Sequence, residues 1–409
     1  MTESSFGTDR IDLGEIDSAR SRHMWTRSSV RLTDDLVVVG RENGTVTAYD
    51  RESLAERWAV DHPGSATGIE SAGGTVVVAG RGERGSVAAY DLESGEHKWD
   101  YETALDVGEP ESDDRFALPY VVDLATDTDR EVVYAAARRY ERNGQDRRWH
   151  STVYAIEFGG RVRWRYETDA SPIAIDVDDA GDRLAVGFNR CLGDHDVGLV
   201  VLEPETGEPH WQWDPGTDGD RRVGDVAFDG DRLAVASHGD KRGYLLGPGG
   251  EERWRIDLAV ETEIGDETLY AYPNHVHASD GHVAFVTGNT YALESRETES
   301  RHPNEHRIAV FDADGERRWA EPVRGFVHEL AADGGTVVVP CAQNFRVRDP
   351  ATHAIHRFDL ETGDVVTRRL DGIATAVSLD GETVAAIEEP VVYHDEERVR
   401  GEYALQIRS

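Results

Sequence analysis

The sequence predicts an all-β fold: an eight-bladed β-propeller of four-stranded antiparallel blades, closed by an N-terminal strand. Three observations carry this expectation. A strand–turn–strand device ending in Trp recurs along the chain. A second hairpin device precedes each copy. The spacing between copies suits one blade of four strands, about 40 to 50 residues.

The first device is clearest in AYDLESGEHKW, where an apolar strand runs into an acidic residue, a turn ends at Gly95, and Trp99 follows four residues later. It recurs around Gly160 and Trp164, Gly207 and Trp211, Gly250 and Trp254, and Gly315 and Trp319. Glycine accepts the positive φ that such a connection requires. The Trp begins the next strand and can pack on the neighbouring unit. Two copies are degenerate: one keeps Trp58 but has Leu54 at the glycine position, and the other keeps Gly363 but has Thr367 at the Trp position.

The second device is an Asp-Gly or Gly-Gly turn followed by a short apolar run, as in GGTVVVAG from Gly73 and DGHVAFVT from Asp280. Such dipeptides between alternating strands are a strong hairpin signal. Each unit therefore reads as strands a, b, c and d, with Trp on strand d. The successive Trp residues of this device, from Trp58 to Trp319, are 41, 65, 47, 43 and 65 residues apart. The two long intervals are read as insertions in blade 3 (about 101–168) and blade 6 (about 256–322). After Thr367 the chain supplies three more strands, at 373–379, 383–388 and 402–408. Trp25 in the segment 22–28 is the expected start of the missing fourth strand. A seven-bladed ring, with Trp25 outside it, is the alternative. The expected organisation is a flexible N-terminal extension over 1–21 and a single propeller domain over 22–409.

Charge narrows the function. The 409 residues hold 80 Asp plus Glu against 44 Lys plus Arg, a net charge of −36, and Lys stands only at Lys98 and Lys241. Such a chain repels itself unless salt screens it. The composition resembles that of cytoplasmic proteins of salt-loving archaea. It argues against non-specific nucleic-acid binding, which needs a positive surface. Cys191 and Cys341 stand far apart, which predicts no disulfide framework and no metal centre. The first residues, MTESSFGTDRIDLGEIDSARSR, lack an apolar leader segment, and no run of about 18 apolar residues occurs. A cytoplasmic protein without a membrane span, a monomeric ring, is expected.

AYDLESGEHKW resembles the tryptophan-docking motif of the pyrroloquinoline-quinone (PQQ) repeat propellers, and the resemblance covers nearly the whole chain from about residue 22. It implies the fold more firmly than the function. One branch of that family, the quinoprotein alcohol and sugar dehydrogenases, holds PQQ and calcium in the central funnel, and many members carry a vicinal cysteine pair. Here no Cys-Cys occurs, and no calcium-ligand set is matched. A second branch resembles the propeller lipoprotein that assists outer-membrane assembly, which carries a lipid-attachment cysteine near its start. The chain reads as a haloarchaeal-type member of a third, cofactor-free group; no cofactor is expected, PQQ included.

Two regions are candidate sites. The b–c loops carry much of the arginine: Arg138, Arg139, Arg142, Arg147 and Arg148 with Tyr140 and Trp149 in blade 3; Lys241 and Arg242 in blade 5; Arg296, Arg301, His302 and His306 in blade 6; Arg346 and Arg348 in blade 7. Such a face suits an acidic protein partner or a phosphate-rich ligand, unless these arginines pair with local carboxylates such as Glu141, Asp146 and Glu299. The innermost strands should line a channel. His275 and His328 each stand five residues before a turn Asp and should meet near the channel mouth, with Asn274, Glu329 and Asp225 close by. They suit buried, hydrogen-bonded structural roles better than a metal, because no third ligand is evident. The stretch CLGDHDVG, with Asp194, His195 and Asp196, lacks EF-hand spacing and reads as a solvated loop. No phosphate-binding loop, nucleophile elbow or dinucleotide fingerprint occurs.

The function expected is a non-enzymatic scaffold that binds a protein partner, with no specific nucleic acid, through the arginine-bearing loops. The alternative is an enzyme acting at the channel mouth, either a PQQ-type oxidoreductase or a hydrolase or lyase on a small polar substrate.

Overall fold

The structure is a computed structural model that describes residues 9–20, 25–295, 298–344, 346–394 and 396–408. Among the described residues the strands form eight four-stranded antiparallel sheets, one three-stranded sheet and one two-stranded parallel pair. Numbered along the chain, the four-stranded sheets occupy 28–61, 68–102, 120–168, 170–213, 223–257, 273–322, 331–369 and 373–408. In each of the first seven the strands follow one another in space as in sequence, up and down. The only α-helix among the described residues is the single turn Ala104–Val107.

The apolar runs form middle strands because sheets cover them on both sides. Leu36–Arg41, Thr75–Ala79 and Leu184–Cys191 are buried through most of their length. The fourth strands face solvent on one side and alternate accordingly, as in Glu252–Asp257. The core is divided among the sheet junctions. One apolar cluster joins sheets 1 and 2, another 2 and 3, and so on through sheets 7 and 8. A last cluster joins sheet 8 to sheet 1 through Ala385, Ile387 and Leu405 on one side and Val30, Val37 and Val39 on the other. The innermost strands Ser28–Leu32 and Ile373–Asp380 also touch across this seam. The molecule is a β-propeller.

The Trp device works between neighbours. Trp58, Trp99, Trp164, Trp254 and Trp319 each donate Nε1–H to a carbonyl in the c–d turn of the following sheet, at 2.8–3.0 Å. Trp211 does not; its Nε1 is buried without an acceptor. Each ring lies under the turn glycine. A Cβ on Gly207, whose φ is +73°, would stand 2.6 Å from the Trp164 ring. The glycine is therefore required twice, for its conformation and for the space it leaves.

One expectation is corrected. The fourth strand of sheet 8 is Asp9–Asp12, which pairs antiparallel with Ala404–Arg408 (Ile11 opposite Leu405), and not the segment at Trp25. This strand falls within the stretch expected as a flexible extension. Trp25 instead packs edge-on against Phe116 at 4.9 Å, with Arg115 over its ring. Four residues can serve here because the strand is an edge with one partner, and only Ile11 turns inward to join the seam cluster. A buried ion pair reinforces the seam. Arg27, just before sheet 1, bonds Glu389 of sheet 8, which also accepts from Ser28 Oγ at 3.0 Å and Thr375 Oγ1 at 2.9 Å.

Candidate functional site

The innermost strands line a cavity of about 740 Å³. Among the described residues five carboxylates face it: Glu70, Asp123, Asp176, Asp225 and Glu329. Four of them accept a backbone N–H from the innermost strand of the next sheet. Asp123 takes Ile175 N–H (2.8 Å), Asp176 takes Phe228 N–H (2.7 Å), Asp225 takes Val276 N–H (2.9 Å) and Glu329 takes Val377 N–H (2.8 Å). The local cause is visible at Asp123 and Asp225. A β-bulge breaks the pairing of each strand there, and each Asp also accepts the N–H of the following residue. Glu70 faces Arg31 of sheet 1 instead, at 3.1 Å. Burial in the channel wall pushes Asp176 and Glu329 up to about 7, and raises Asp123 and Glu70 as well.

All five residues expected at the channel mouth, Asn274, His275, His328, Glu329 and Asp225, line this cavity. His275 lies on the bulge of its strand, with Nε2 3.0 Å from the Val327 carbonyl and Nδ1 3.7 Å from Asp225. His328 stands edge-on to Phe326 at 5.0 Å. Backbone and carboxylate contacts thus hold His275, while Asp225 and Glu329 are committed to backbone N–H groups. Among the described residues no group of three His, Cys, Asp or Glu side chains is placed to hold a metal ion.

The residue-by-residue reading missed the aromatic part of this mouth. Tyr270, Tyr272 and Tyr291 pack together with centroids 5.4–5.7 Å apart. Arg221 lies over Tyr272 at 4.8 Å and Lys241 over Tyr270 at 5.1 Å. The three tyrosines come from the insertion of sheet 6, whose strands Thr262–Ile264, Glu267–Tyr270 and Tyr291–Ala292 form the small three-stranded sheet. YAYP (270–273) and NTYA (289–292) are the sequence traces of that cluster.

The arginine-bearing insertion of sheet 3 is not a loop. Val132–Asn143 and Asp146–Glu157 form a continuous hairpin, and residues 139–150 project beyond the first and fourth strands as a two-stranded ribbon. Strand alternation splits its side chains onto two faces. One face holds Arg139, Glu141, Arg148 and His150. Arg139 is paired locally, since Glu141 bonds Arg139 and His150 at 3.0 Å and Arg139 reaches the Val107 carbonyl at 2.8 Å, while Arg148 is exposed. Arg139 is 6% exposed, which removes it from the docking candidates.

The opposite face holds Arg138, Tyr140, Arg142, Arg147 and Trp149, with Tyr140 opposite Trp149 and Arg142 opposite Arg147. All of these but Arg142 join Arg81, Tyr120, Arg190, Trp25 and Phe116 in enclosing a pocket of about 330 Å³, and among the described residues no Asp or Glu lines it. Arg81 lies 4.0 Å over Tyr120, and Arg138 lies 5.1 Å from the Trp149 ring centre. Arg138 donates to Ser171 Oγ (2.5 Å) and the Pro172 carbonyl (2.9 Å). Burial, with Arg81 and Arg190 nearby, lowers it to about 10. Arg190 pairs with Asp220 at 3.1 Å outside the pocket, while among the described residues no carboxylate lies within 4.0 Å of Arg81, Arg138 or Arg147, and Glu42 acts on Arg81 from further away.

The remaining candidates scatter. Arg346 is a staple: it donates to the carbonyls of Thr290, Thr298 and Ser300 and holds the sheet-6 insertion, so it is not free to dock a partner. Arg301 is 54% exposed and lies 3.8 Å from Glu305. Arg348 adopts a φ of +50°. Arg296 lies outside the described residues. Arg242 pairs with Asp240 and Asp257. His302 and His306 are buried, bonded to the Val260 carbonyl and to Asn289 respectively. The loop at Asp194 and His195 is pinned by Asp169, which accepts both backbone N–H groups. Cys191 and Cys341 are free thiols, pushed up to about 12 by burial.

The family model described as outer membrane protein assembly factor BamB, built on PQQ-type repeats, matches residues 13–151 and 150–369. The chain belongs to this family. BamB from Moraxella catarrhalis superposes with a TM-score of 0.59 at 13% identity, covering 98% of this chain and 99% of that one. A europium-containing methanol dehydrogenase gives 0.59 at 13% identity, with 93% and 84% covered. The quinohemoprotein alcohol dehydrogenase ADHIIG from Pseudomonas putida HK5 gives 0.62 at 12% identity, with 98% and 75% covered. At these identities the likeness to solved structures is one of fold. No curated protein matches the chain. For this BamB-family chain, no helix among the described residues is long and apolar enough to cross a membrane.

Proposed function

We propose that the eight four-stranded sheets are the blades of a closed eight-bladed ring, and that this ring is a non-enzymatic scaffold docking an acidic protein partner on the arginine and aromatic face of the 138–149 ribbon. One observation carries the reading. In a chain of net charge −36, this face gathers Arg138, Arg142 and Arg147 with Tyr140 and Trp149, and its pocket has no acidic residue among those described. Trp, Tyr and Arg are the side chains that dominate the energetics of protein interfaces. A family named for an assembly factor is consistent with such a role.

The test is recovery of the partner from native extract at high salt, using the full chain as bait. Arg142→Ser with Arg147→Ser, both exposed at the ribbon tip, should reduce stoichiometric recovery at least tenfold. Recovery equal to the wild type would dispose of this surface.

A second reading, an enzyme at the channel mouth, draws support from Glu329 and Asp176 held near neutrality and from the dehydrogenase neighbours. As a home for PQQ with a metal, the channel is poorly furnished. Four of its five lining carboxylates are spent on backbone N–H groups, and Cys191 and Cys341 stand apart. Addition of PQQ with calcium should give no dye-linked oxidation of alcohols or sugars; such oxidation would favour the second reading.

A further inference from the structure

Resting on the docking reading, we infer that the pocket beneath the ribbon is an anchor site for one aromatic side chain with a carboxylate next to it, presented by the partner's docking segment. The pocket asks for both groups. Its floor gathers Arg81, Arg138 and Arg190; burial and the nearness of Arg81 and Arg190 disfavour the charge on Arg138, and no carboxylate among the described residues lies within 4.0 Å of Arg138 or Arg81. An incoming carboxylate would relieve that repulsion with charge-assisted hydrogen bonds in a partly desolvated place. The walls ask for a ring: Trp149, Tyr140, Trp25 and the 55% exposed Phe116 present aromatic surface around the floor.

Size limits the occupant. About 330 Å³ lies at the lower end of the ~300–1,000 Å³ typical of ligand pockets and admits one ring system with one charged group. Charge complementarity selects the flanks. Arg142 and Arg147 stand opposite each other at the exposed tip, on the pocket's own face, where further Asp or Glu residues of the segment would pass. Elsewhere the surface of so acidic a chain repels such a segment, so the pocket sets the register of docking as well as its strength.

The test uses the full-length protein and a fluorescein-labelled peptide, Ser-Asp-Trp-Asp-Ser, read by anisotropy at moderate salt. Saturable binding is expected. Replacing the peptide's Trp by Ala, replacing both Asp by Asn, or introducing Arg147→Ser in the protein should each weaken it at least tenfold. Arg142→Ser, also at the exposed tip, serves as a second variant. Thermal melts check that both proteins remain folded. Absence of saturation at millimolar peptide, or binding by both variants equal to that of the wild type, would overturn the inference. Displacement of the peptide by an equal concentration of adenosine monophosphate would also overturn it, marking a small-ligand pocket. The two readings fail separately: partner recovery that depends on Arg142 and Arg147 without peptide binding leaves the surface standing and removes the anchor, whereas recovery indifferent to those arginines removes the surface.

Discussion

Gly207→Ala tests how the sheets lock together. Gly207 has φ +73° and sits on Trp164 of the preceding sheet; Gly74, in a hairpin turn of sheet 2, has the same φ of +73° and nothing within 4 Å of where a Cβ would go. Alanine at either site meets the same backbone penalty, about 1 kcal/mol for a left-handed conformation. At Gly207 the new methyl would also stand 2.6 Å from two atoms of the Trp164 ring, which is itself held by its bond to the Pro204 carbonyl. Overpacking of this kind costs about 1–3 kcal/mol. Gly207→Ala should therefore lose about 2–4 kcal/mol and Gly74→Ala about 1 kcal/mol. Urea unfolding at fixed high salt, with the slope unchanged between variants, reads the difference. Trp164→Ala combined with Gly207→Ala should cost less than the sum of the two singles, because the clash is then gone. Equal losses at Gly207 and Gly74 would refute the docking account of the repeat.

Further outcomes follow from the seam and the channel. Ile11→Asp should lower stability by about 2 kcal/mol by placing a charge in the seam cluster, whereas Trp25→Ala should cost about 1 kcal/mol or less; the opposite order in urea melts would restore Trp25 as the closing strand. Glu389→Gln should cost about 3 kcal/mol by leaving Arg27 buried without a counter-charge, and Arg27→Met with Glu389→Leu together should cost less than that single change. Asp176 is pushed up to about 7, so the folded chain keeps a proton that the unfolded chain releases near pH 4, and stability falls as pH rises across that window. Asp176→Asn keeps an oxygen for Phe228 N–H and removes the charge, so its stability advantage should grow from about pH 4 to about pH 7 and then level off; a pH-independent difference would contradict the raised pKa.

The parts legible in the sequence were those set by local chemistry. Turn glycines and Trp residues carry conformational and packing information within one unit, so the repeat could be read from AYDLESGEHKW alone. Residues 138–150 read as a loop because RRYERNGQDRRWH has no apolar alternation. The ribbon extends past its sheet and needs no apolar face, yet the alternation is there in another form: Arg138, Tyr140 and Arg142 fall on one side, Arg139 and Glu141 on the other. Arg346 looked like a docking residue because its three carbonyl acceptors, 46 to 56 positions away, are brought to it only by the fold. The channel carboxylates are likewise acceptors for neighbours about 50 residues on, a relation that the chain order hides.

The two degenerate copies of the repeat turn out to be consequences of closure. A turn glycine is needed where a Trp of the preceding sheet lies beneath it. The turn of sheet 1 faces sheet 8, whose fourth strand, Asp9–Asp12, has no Trp. Leu54 occupies that turn with φ +58° and joins the same apolar cluster as Ile11 and Leu405, filling space that a Trp ring takes at the other junctions. Thr367, in turn, stands where sheet 7 would send a Trp under the c–d turn of sheet 8. Sheet 8 has no such turn, because its fourth strand arrives from Asp9–Asp12. Each lapse in the motif thus answers the absence of its partner across a junction of sheet 8. In a ring of interlocking repeats, the copies that lose Gly or Trp point to where the chain closes on itself, and here they point to sheet 8 independently of Trp25.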